Sequence, residues 1–271
     1  MSILLISVGQ FTYRLQLKQI ISSDIGFNSE MEAFGLNFCH GLGLGLHERP
    51  LISRLTSFKE PIELKPGMVF VDAGANDGYY TLFAARKVGP AGKVIAVEPS
   101  SRERINLRRN VERNGFDNVR IVTEALGASA GEAHLCLAHY KHSGHNTMGS
   151  FAHDDVTAAR PEQVRVEMLD TIMQRLAVPR VDVIKIDVEG AEANVISGGH
   201  QTLKSMQPIL LMELSDRALR AQGNSAEELL SILRDTFGYE ILNFSLKTGR
   251  VELCPEGMPH SANIVAAPAH R

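Results

Sequence analysis

The chain has 271 residues, of which 44% are hydrophobic and 22% are charged, enough for one large α/β domain with an extension or for two small domains. Lys and Arg number 28 against 31 Asp and Glu, so the net charge is −3, and no basic block indicates a nucleic-acid partner. Three distant cysteines (Cys39, Cys136 and Cys254) match neither a disulfide framework nor a metal-binding spacing, which favours a reducing cytoplasm.

The first sixty residues contain few interpretable patterns. Residues 3–8 form an apolar run that is too short for a membrane span or a signal sequence, so we expect no integral membrane segment. Leucine and glycine alternate over residues 41–46, which is more typical of a loop than of a phosphate-binding turn. We expect residues 1–60 to form an N-terminal cap over a catalytic domain of residues 61–271.

From residue 61 onward, short apolar runs alternate with segments of helical periodicity. The runs predict strands at residues 68–71, 94–97, 119–122, 181–186, 209–212 and 239–244. Helices are predicted between them, with Ser100 and Glu103 as one capping box and Ser225 and Glu228 as another. This alternation indicates the α/β class, with a doubly wound and mostly parallel sheet.

Two parts of the chain depart from the alternation. Residues 132–138 and 163–168 are predicted to pair as antiparallel strands, which makes 132–168 a β insertion. The tail, at residues 251–254 and 263–267, is predicted to supply an antiparallel edge strand. Ligands of such sheets bind outside the carboxyl ends of the strands, so we expect the chemistry at residues 72–78, 98–100, 124–126 and 187–192.

The first of these segments has the features of a cofactor loop. Gly74 permits a tight turn and Gly78 permits close packing of the following helix, but Asn76 stands where a dinucleotide fingerprint has its second glycine. Asp72 would repel a pyrophosphate and suits the ammonium group of a methionyl cofactor. Glu98 comes 20 residues after Gly78 and is positioned to accept hydrogen bonds from ribose hydroxyls. The pattern therefore favours S-adenosyl-L-methionine over a nicotinamide cofactor.

Neighbouring residues complete the predicted cofactor site. Pro99 and Ser100 follow Glu98 directly, Glu124 and Ala125 follow the third strand and are expected near the adenine, and Asp187 follows the fourth. Simpler interpretations remain for several of these residues. The glycines fit an ordinary strand-to-helix turn, and carboxylates at strand ends also cap helices or bind loop amides.

Four segments resemble the FkbM family of methyltransferases: VDAGANDGYY at 71–80, VEP at 97–99, Asn110 with Asn114, and IKIDVEGAE at 184–192. The resemblance spans about residues 48–267. It implies a Rossmann-like methyltransferase fold, S-adenosyl-L-methionine as cofactor, and O-methylation of a hydroxyl on a sugar, glycan or polyketide-type metabolite. The chain departs from the family at Asp77, where an apolar residue is frequent, and in its histidine-rich loop.

Methyl transfer to a hydroxyl requires a group that accepts the hydroxyl proton. Asp187 is the first candidate because it ends a strand at the ligand edge, and Glu189 is the second. Glu192 lies one helical turn further along. Lys185, inside the buried strand, is expected to pair with one of these acids because an unpaired buried ammonium is costly.

A histidine-rich loop supplies a further candidate. Histidine titrates near neutral pH, and we select His145 as a possible base. His139, His142 and His145 are spaced by three, but Ser143 and Gly144 argue against a helix, so no metal site is predicted. Glu213, at the end of the strand at 209–212, also points toward the ligand edge.

Two alternatives to a methyltransferase stay open at this point. One is a nicotinamide-dependent oxidoreductase, and the other is a non-catalytic module that retains the methyltransferase fold. The expected partner is a small-molecule or glycan acceptor with a hydroxyl group. The sequence leaves the identity of that acceptor and the oligomeric state undetermined.

Overall fold

The computed structural model describes residues 2–8, 11–17, 64–138, 146–149, 158–244, 251–254, 259 and 263–269. Its strands, in chain order, are β1 Ser2–Val8, β2 Phe11–Leu17, β3 Val69–Ala73, β4 Lys93–Val97, β5 Val119–Val122, β6 Ala125–Leu126, β7 Gly131–Ala138, β8 Ala158–Glu167, β9 Val183–Ile186, β10 Ile209–Glu213, β11 Tyr239–Phe244, β12 Val251–Leu253 and β13 Asn263–Pro268. Most of the predicted N-terminal cap, and the loop with His139, His142 and His145, lie outside the described residues.

The helices of the described residues follow the strands in the predicted alternation. They are α1 Tyr79–Val88, α2 Ser101–Arg113, α3 Leu169–Arg175, α4 Glu192–Gly198, α5 His200–Met206, α6 Asp216–Ala221 and α7 Ala226–Ser231, which continues into a π-helical turn at Ile232–Thr236. None of these helices has the length and apolar composition needed to cross a lipid bilayer.

Eight strands form the central sheet in the order β12-β11-β13-β10-β9-β3-β4-β5. The five strands from β10 to β5 are parallel, and β13 runs antiparallel between β10 and β11. The edge strand β12 is antiparallel to β11. The predicted α/β class, parallel sheet and antiparallel edge strand are thus confirmed, and the tail supplies two strands where one was expected.

The central strands are apolar because helices cover both faces of the sheet. Val71, Ile95 and Ile184 have no exposed surface, and each belongs to the main hydrophobic cluster. The chain reverses its direction of winding between β3 and β9, which are adjacent and parallel. The loops that follow β3 and β9 diverge at the carboxyl ends of these strands. Doubly wound sheets bind their ligands at such a point.

Two smaller sheets complete the described structure. β1 and β2 pair as an antiparallel hairpin. β6, β8 and β7 form a three-stranded sheet in which β7 and β8 pair in an antiparallel arrangement.

The two predicted capping boxes have different outcomes. At α7, the Ser225 hydroxyl accepts the Glu228 N–H (3.2 Å) and donates to the Glu228 carboxylate, as predicted. At α2, Ser100 is the N-cap residue but accepts no backbone N–H, and its hydroxyl donates to Glu103. That capping box was wrong because Glu98 accepts the Ser100 N–H (2.8 Å) that a box would assign to Glu103.

Candidate active site

The loop at residues 72–78 turns sharply over the end of β4. The N–H groups of Gly74 and Ala75 both donate to the Val97 carbonyl, at 3.1 and 3.0 Å. Gly74 has φ +79°, and a Cβ at this position would lie 1.9 Å from the Asp187 carbonyl oxygen. Glycine is therefore required at residue 74 both for its backbone conformation and for its close approach to the loop that follows β9.

Glu98 joins the two loops at the ends of β3 and β4. One carboxylate oxygen accepts the Asn76 N–H and the other accepts the Ser100 N–H, both at 2.8 Å. Asn76 has φ +50°, a left-handed conformation that asparagine tolerates better than most residues. Its side chain occupies the position at which a dinucleotide loop has glycine.

The Glu98 carboxyl group is 5% exposed. Burial raises the pKa of Glu98 to about 7, although its two backbone hydrogen bonds act in the opposite direction. A carboxylate oxygen has two acceptor positions, so each oxygen of Glu98 retains capacity for one further donor. The group is thus suited to receive a pair of ligand hydroxyls.

Asp72 lies behind the loop with no exposed surface. Its Oδ2 accepts the Thr81 hydroxyl at 2.6 Å, and its Oδ1 lies 3.5 Å from the Lys185 ammonium. Burial raises the pKa of Asp72, while Lys185 and Thr81 act to lower it. Asp72 and Lys185 are register partners on the adjacent strands β3 and β9, which explains why the pair forms so close to the loop.

Lys185 connects the loop at residues 72–78 to the acids that follow β9. Its Nζ donates to the Gly74 carbonyl at 2.8 Å, and it lies 3.2 Å from the Asp187 carboxylate. Burial alone would lower the pKa of Lys185, but the charges of Asp187 and Asp72 outweigh it and raise the pKa above its usual value. The predicted pairing of Lys185 with one of the acids is confirmed.

Three carboxyl groups converge where β9 and β10 end. Oxygens of Asp187, Glu189 and Glu213 all lie within 4.8 Å of one another, and the three side chains are partly exposed. Burial raises the pKa of Glu213 far above its usual range, and the charges of Asp187 and Glu189 raise it further. Of the three carboxyl groups, Glu213 therefore has the strongest tendency to hold a proton, and we call these three residues the acidic cluster. Its spacing would also suit a cation, but acidic groups often lie this close without one, and we assign no metal to it.

A family model described as the methyltransferase FkbM domain matches residues 72–241, a span that contains the loop at 72–78, Glu98 and the acidic cluster. The chain belongs to the FkbM methyltransferase family. This membership confirms the resemblance found in the sequence and favours a methyltransferase over a nicotinamide-dependent oxidoreductase.

Relatives and solved structures extend the comparison. The chain is similar to the AMB antimetabolite synthetase AmbE of Pseudomonas aeruginosa (25% identity over 219 residues, 68% of this chain and 10% of that protein). It is also similar to Methyltransferase 1 of Beauveria bassiana (30% identity, 47% of this chain and 57% of that protein). Among structures, an FkbM methyltransferase from Methylobacillus flagellatus has a TM-score of 0.45 and 16% identity, covering 74% of this chain and 43% of its own. The chain thus spans less than two thirds of each of these proteins.

The third predicted segment is arranged differently from the first two. The Glu124 carboxylate accepts the Arg175 guanidinium at 2.7 Å. Burial acts to raise the pKa of Glu124, but the hydrogen bond and charge of Arg175 hold it below its usual value. Ala125 is buried in β6, where it pairs with Val166.

Asp77, the residue at which the chain departs from the family pattern, is fixed against α2. The Asn106 amide donates to its carboxylate at 3.1 Å, and the Asn110 amide donates to its carbonyl at 2.8 Å. Burial raises the pKa of Asp77 to about 6, in spite of the bond from Asn106. Asn110 thus has a structural role in the loop that its appearance in the family pattern did not reveal.

Three contacts of the site were not predicted from the sequence. Arg175 pairs with Glu124, and both Thr147 and Gln222 bond the Glu189 carbonyl. Each lies more than 30 residues from its partner in the chain, so no local pattern could reveal the contact. The predicted base His145 lies outside the described residues, and its neighbour Asn146 bonds the Ala138 N–H at 2.9 Å.

Proposed function

We propose that this protein transfers the methyl group of S-adenosyl-L-methionine to a hydroxyl group of a small-molecule, sugar or glycan acceptor. The observation that supports the proposal best is the buried Glu98 carboxylate, bonded to Asn76 and Ser100, with the acidic cluster at the neighbouring strand ends. The first feature suits the ribose of the cofactor. The second suits a hydroxyl that loses its proton.

The residues of the loop fit an adenosyl cofactor better than a dinucleotide. Glu98 and Asp72 are both acidic, and the side chain of Asn76 stands where a pyrophosphate would approach the backbone. Because Asp72 is completely buried, we assign it a positioning role through Thr81 and Lys185 instead of the direct ligand contact that the sequence predicted. Gly74 and Gly78 are proposed to set the shape of the turn, since a Cβ on Gly74 would lie 1.9 Å from the Asp187 carbonyl oxygen and one on Gly78 would lie 2.6 Å from the Leu107 side chain.

The remaining cofactor residues are proposed to lie along the adenosine. Pro99 and Ser100 follow Glu98, and Ser100 contributes its backbone because its side chain is buried and bonded to Glu103. Ala125 is proposed beside the adenine. Glu124 is proposed to act through its ion pair with Arg175, which fixes the segment that connects β5 to β6.

When bound, S-adenosyl-L-methionine would supply a methyl group activated by its positively charged sulfur, which would leave as a neutral thioether. Asp187 is proposed to accept the proton of the acceptor hydroxyl. Lys185 lies 3.2 Å from the Asp187 carboxylate and Glu213 lies beside it, and both are proposed to hold that carboxylate toward the ligand edge. Glu189 is proposed to orient the acceptor, since it is partly exposed beside Asp187. Positioning of this kind contributes much of the rate of a displacement reaction.

The pKa of Glu98 predicts that cofactor affinity depends on pH. Ribose hydroxyls donate to the charged form, so binding should weaken as Glu98 becomes protonated below a pKa of about 7. Between pH 8 and pH 6 we expect the dissociation constant of S-adenosyl-L-methionine to rise about tenfold. Calorimetric titration over this range measures the effect. Glu98→Gln should remove the dependence, and an identical pH profile in that variant would exclude Glu98 as its origin.

Methyl transfer itself is tested with methyl-labelled S-adenosyl-L-methionine and a panel of sugars, glycans, polyketide-type alcohols and matched amines. We expect label in a product whose carbon NMR signal is that of an O-methyl group. Label in the amines alone would contradict the choice of a hydroxyl acceptor. Binding of the cofactor with no transfer to any panel member, and transfer to a protein or nucleic acid instead, would contradict the proposed acceptor class.

A further inference from the structure

The peptide of Glu189 has an unusual conformation at the centre of the acidic cluster. Glu189 has φ +53°, a left-handed value that is unfavourable for a glutamate, and Gly190 follows with φ +100°. A Cβ on Gly190 would lie 2.5 Å from the Ala218 carbonyl oxygen. Such conformations persist only where the surrounding structure holds them.

Side chains from different parts of the chain hold this peptide: Thr147 and Gln222 bond its carbonyl, and the Glu192 carboxylate accepts the Gly190 N–H at 3.2 Å. The Glu189 carbonyl accepts the Thr147 hydroxyl at 2.9 Å and the Gln222 amide at 3.0 Å. The same amide nitrogen lies 3.2 Å from the Thr147 hydroxyl oxygen, so the three groups form a closed triangle. Gln222 caps the end of α6, and Thr147 is bridged by its backbone to Cys136 of β7.

The bonding capacity of the Thr147 hydroxyl is completely used. It donates once, to Glu189, and it accepts twice, from Gln222 and from the Gly149 N–H at 3.2 Å. A threonine hydroxyl offers one donor and two acceptor positions. Thr147 is 2% exposed, so water does not substitute for any of these bonds. A hydroxyl is therefore specifically required at residue 147.

We propose that Thr147 and Gln222 are positioning residues that hold the Glu189 peptide and thereby direct its carboxylate into the acidic cluster. The proposal rests on the proposed function, in which that cluster receives the acceptor. It also explains how the β insertion is connected to the reaction site, because Thr147 follows β7 while Glu189 follows β9. The insertion thus sets the geometry of an acidic group that faces the acceptor.

Four proteins test the proposal: wild type, Thr147→Val, Thr147→Ser and Thr202→Val. Valine keeps the shape of Thr147 and removes its hydroxyl, whereas serine retains the hydroxyl. Thr202 is the matched control, since it is 3% exposed and its hydroxyl bonds Asp170 at 2.6 Å, away from the acidic cluster. Each protein is labelled with carboxyl-¹³C glutamate, and Glu213→Gln identifies the Glu213 signal.

Two readouts are recorded for each protein in the presence of a chelator. The first is amide hydrogen exchange over residues 188–192, and the second is the midpoint of the Glu213 carboxyl titration. We expect Thr147→Val to speed exchange about tenfold. It should also lower the Glu213 midpoint by about one pH unit, because Glu189 moves away and its charge no longer opposes ionisation. Thr147→Ser and Thr202→Val should match wild type in both readouts.

Two results would overturn the inference. In the first, Thr147→Val exchanges and titrates as wild type does, or Thr202→Val shows the same changes as Thr147→Val. In the second, Thr147→Val exchanges faster than wild type while its Glu213 midpoint is unchanged. That result would mean that Thr147 holds the Glu189 peptide without any effect on the Glu189 carboxylate. Neither readout uses cofactor or acceptor, so a protein that fails to bind S-adenosyl-L-methionine would contradict the proposed function and leave this measurement valid.

Discussion

Replacing Glu98 by alanine should weaken the binding of S-adenosyl-L-methionine by about 10²–10⁴-fold. The variant loses the acceptors of the proposed ribose hydroxyls and also the two bonds that join the loops after β3 and β4. A hydrogen bond to a charged group contributes about 1.5–3 kcal/mol, and two such bonds account for that range. Calorimetric titration with the cofactor and with its demethylated product measures the loss.

Asp182→Ala is the matched control for this substitution. Asp182 is also a buried carboxylate that accepts a backbone N–H, from Val69 at 2.8 Å. It precedes β9 and therefore lies at the amino ends of the parallel strands, opposite the proposed site. We expect it to lower the melting temperature without changing cofactor affinity. Unchanged affinity in Glu98→Ala, or an equal loss in Asp182→Ala, would refute the ribose-binding role of Glu98.

Replacing Asp187 by alanine should lower the turnover number by about 10²–10⁴-fold while cofactor affinity changes little. The expected loss is that of a group that accepts a proton in the transition state. Lys185 keeps its contacts with Asp72 and with the Gly74 carbonyl in this variant, so the cofactor loop retains its support. Single-turnover kinetics with the acceptor found in the panel separate the chemical step from binding.

Asp182→Ala also serves as the control for Asp187→Ala. Asp182 directly precedes β9 and Asp187 directly follows it. Asp182→Ala therefore removes a carboxylate at the end of β9 that is opposite the proposed site. We expect its turnover number to remain that of wild type. Full activity in Asp187→Ala would exclude this residue as the proton acceptor and would direct attention to Glu189.

Local sequence patterns were sufficient to predict the strands that position the site. The apolar run at 94–97 is bounded by a lysine and by Glu98, and the observed strand is Lys93–Val97. The order of strands within the sheet was not predictable in the same way. Asn263–Pro268 lies between β10 and β11 because it pairs with both, and pairing between distant segments leaves no local pattern.

The site shows the same division between local and distant information. Gly74, Asn76 and Glu98 were predicted because each belongs to a motif with a fixed spacing, and the structure joins their two loops through the Asn76–Glu98 and Gly74–Val97 hydrogen bonds. The sequence predicted that Asp72 contacts the ligand directly. Residue spacing does not reveal whether a side chain is buried, and the structure buries Asp72 completely. The bond between Thr147 and Glu189 joins residues 42 positions apart, and the left-handed Glu189 had no signal beyond the glycine that follows it.

The central claim is that the loop at residues 72–78 and Glu98 bind an adenosyl cofactor and not a dinucleotide. Calorimetric titration of the wild-type protein with S-adenosyl-L-methionine, S-adenosylhomocysteine and NAD tests it most directly. We predict saturable binding of the first two at one site per chain and no binding of NAD. Binding of NAD without S-adenosyl-L-methionine, or binding of none of the three, would contradict it.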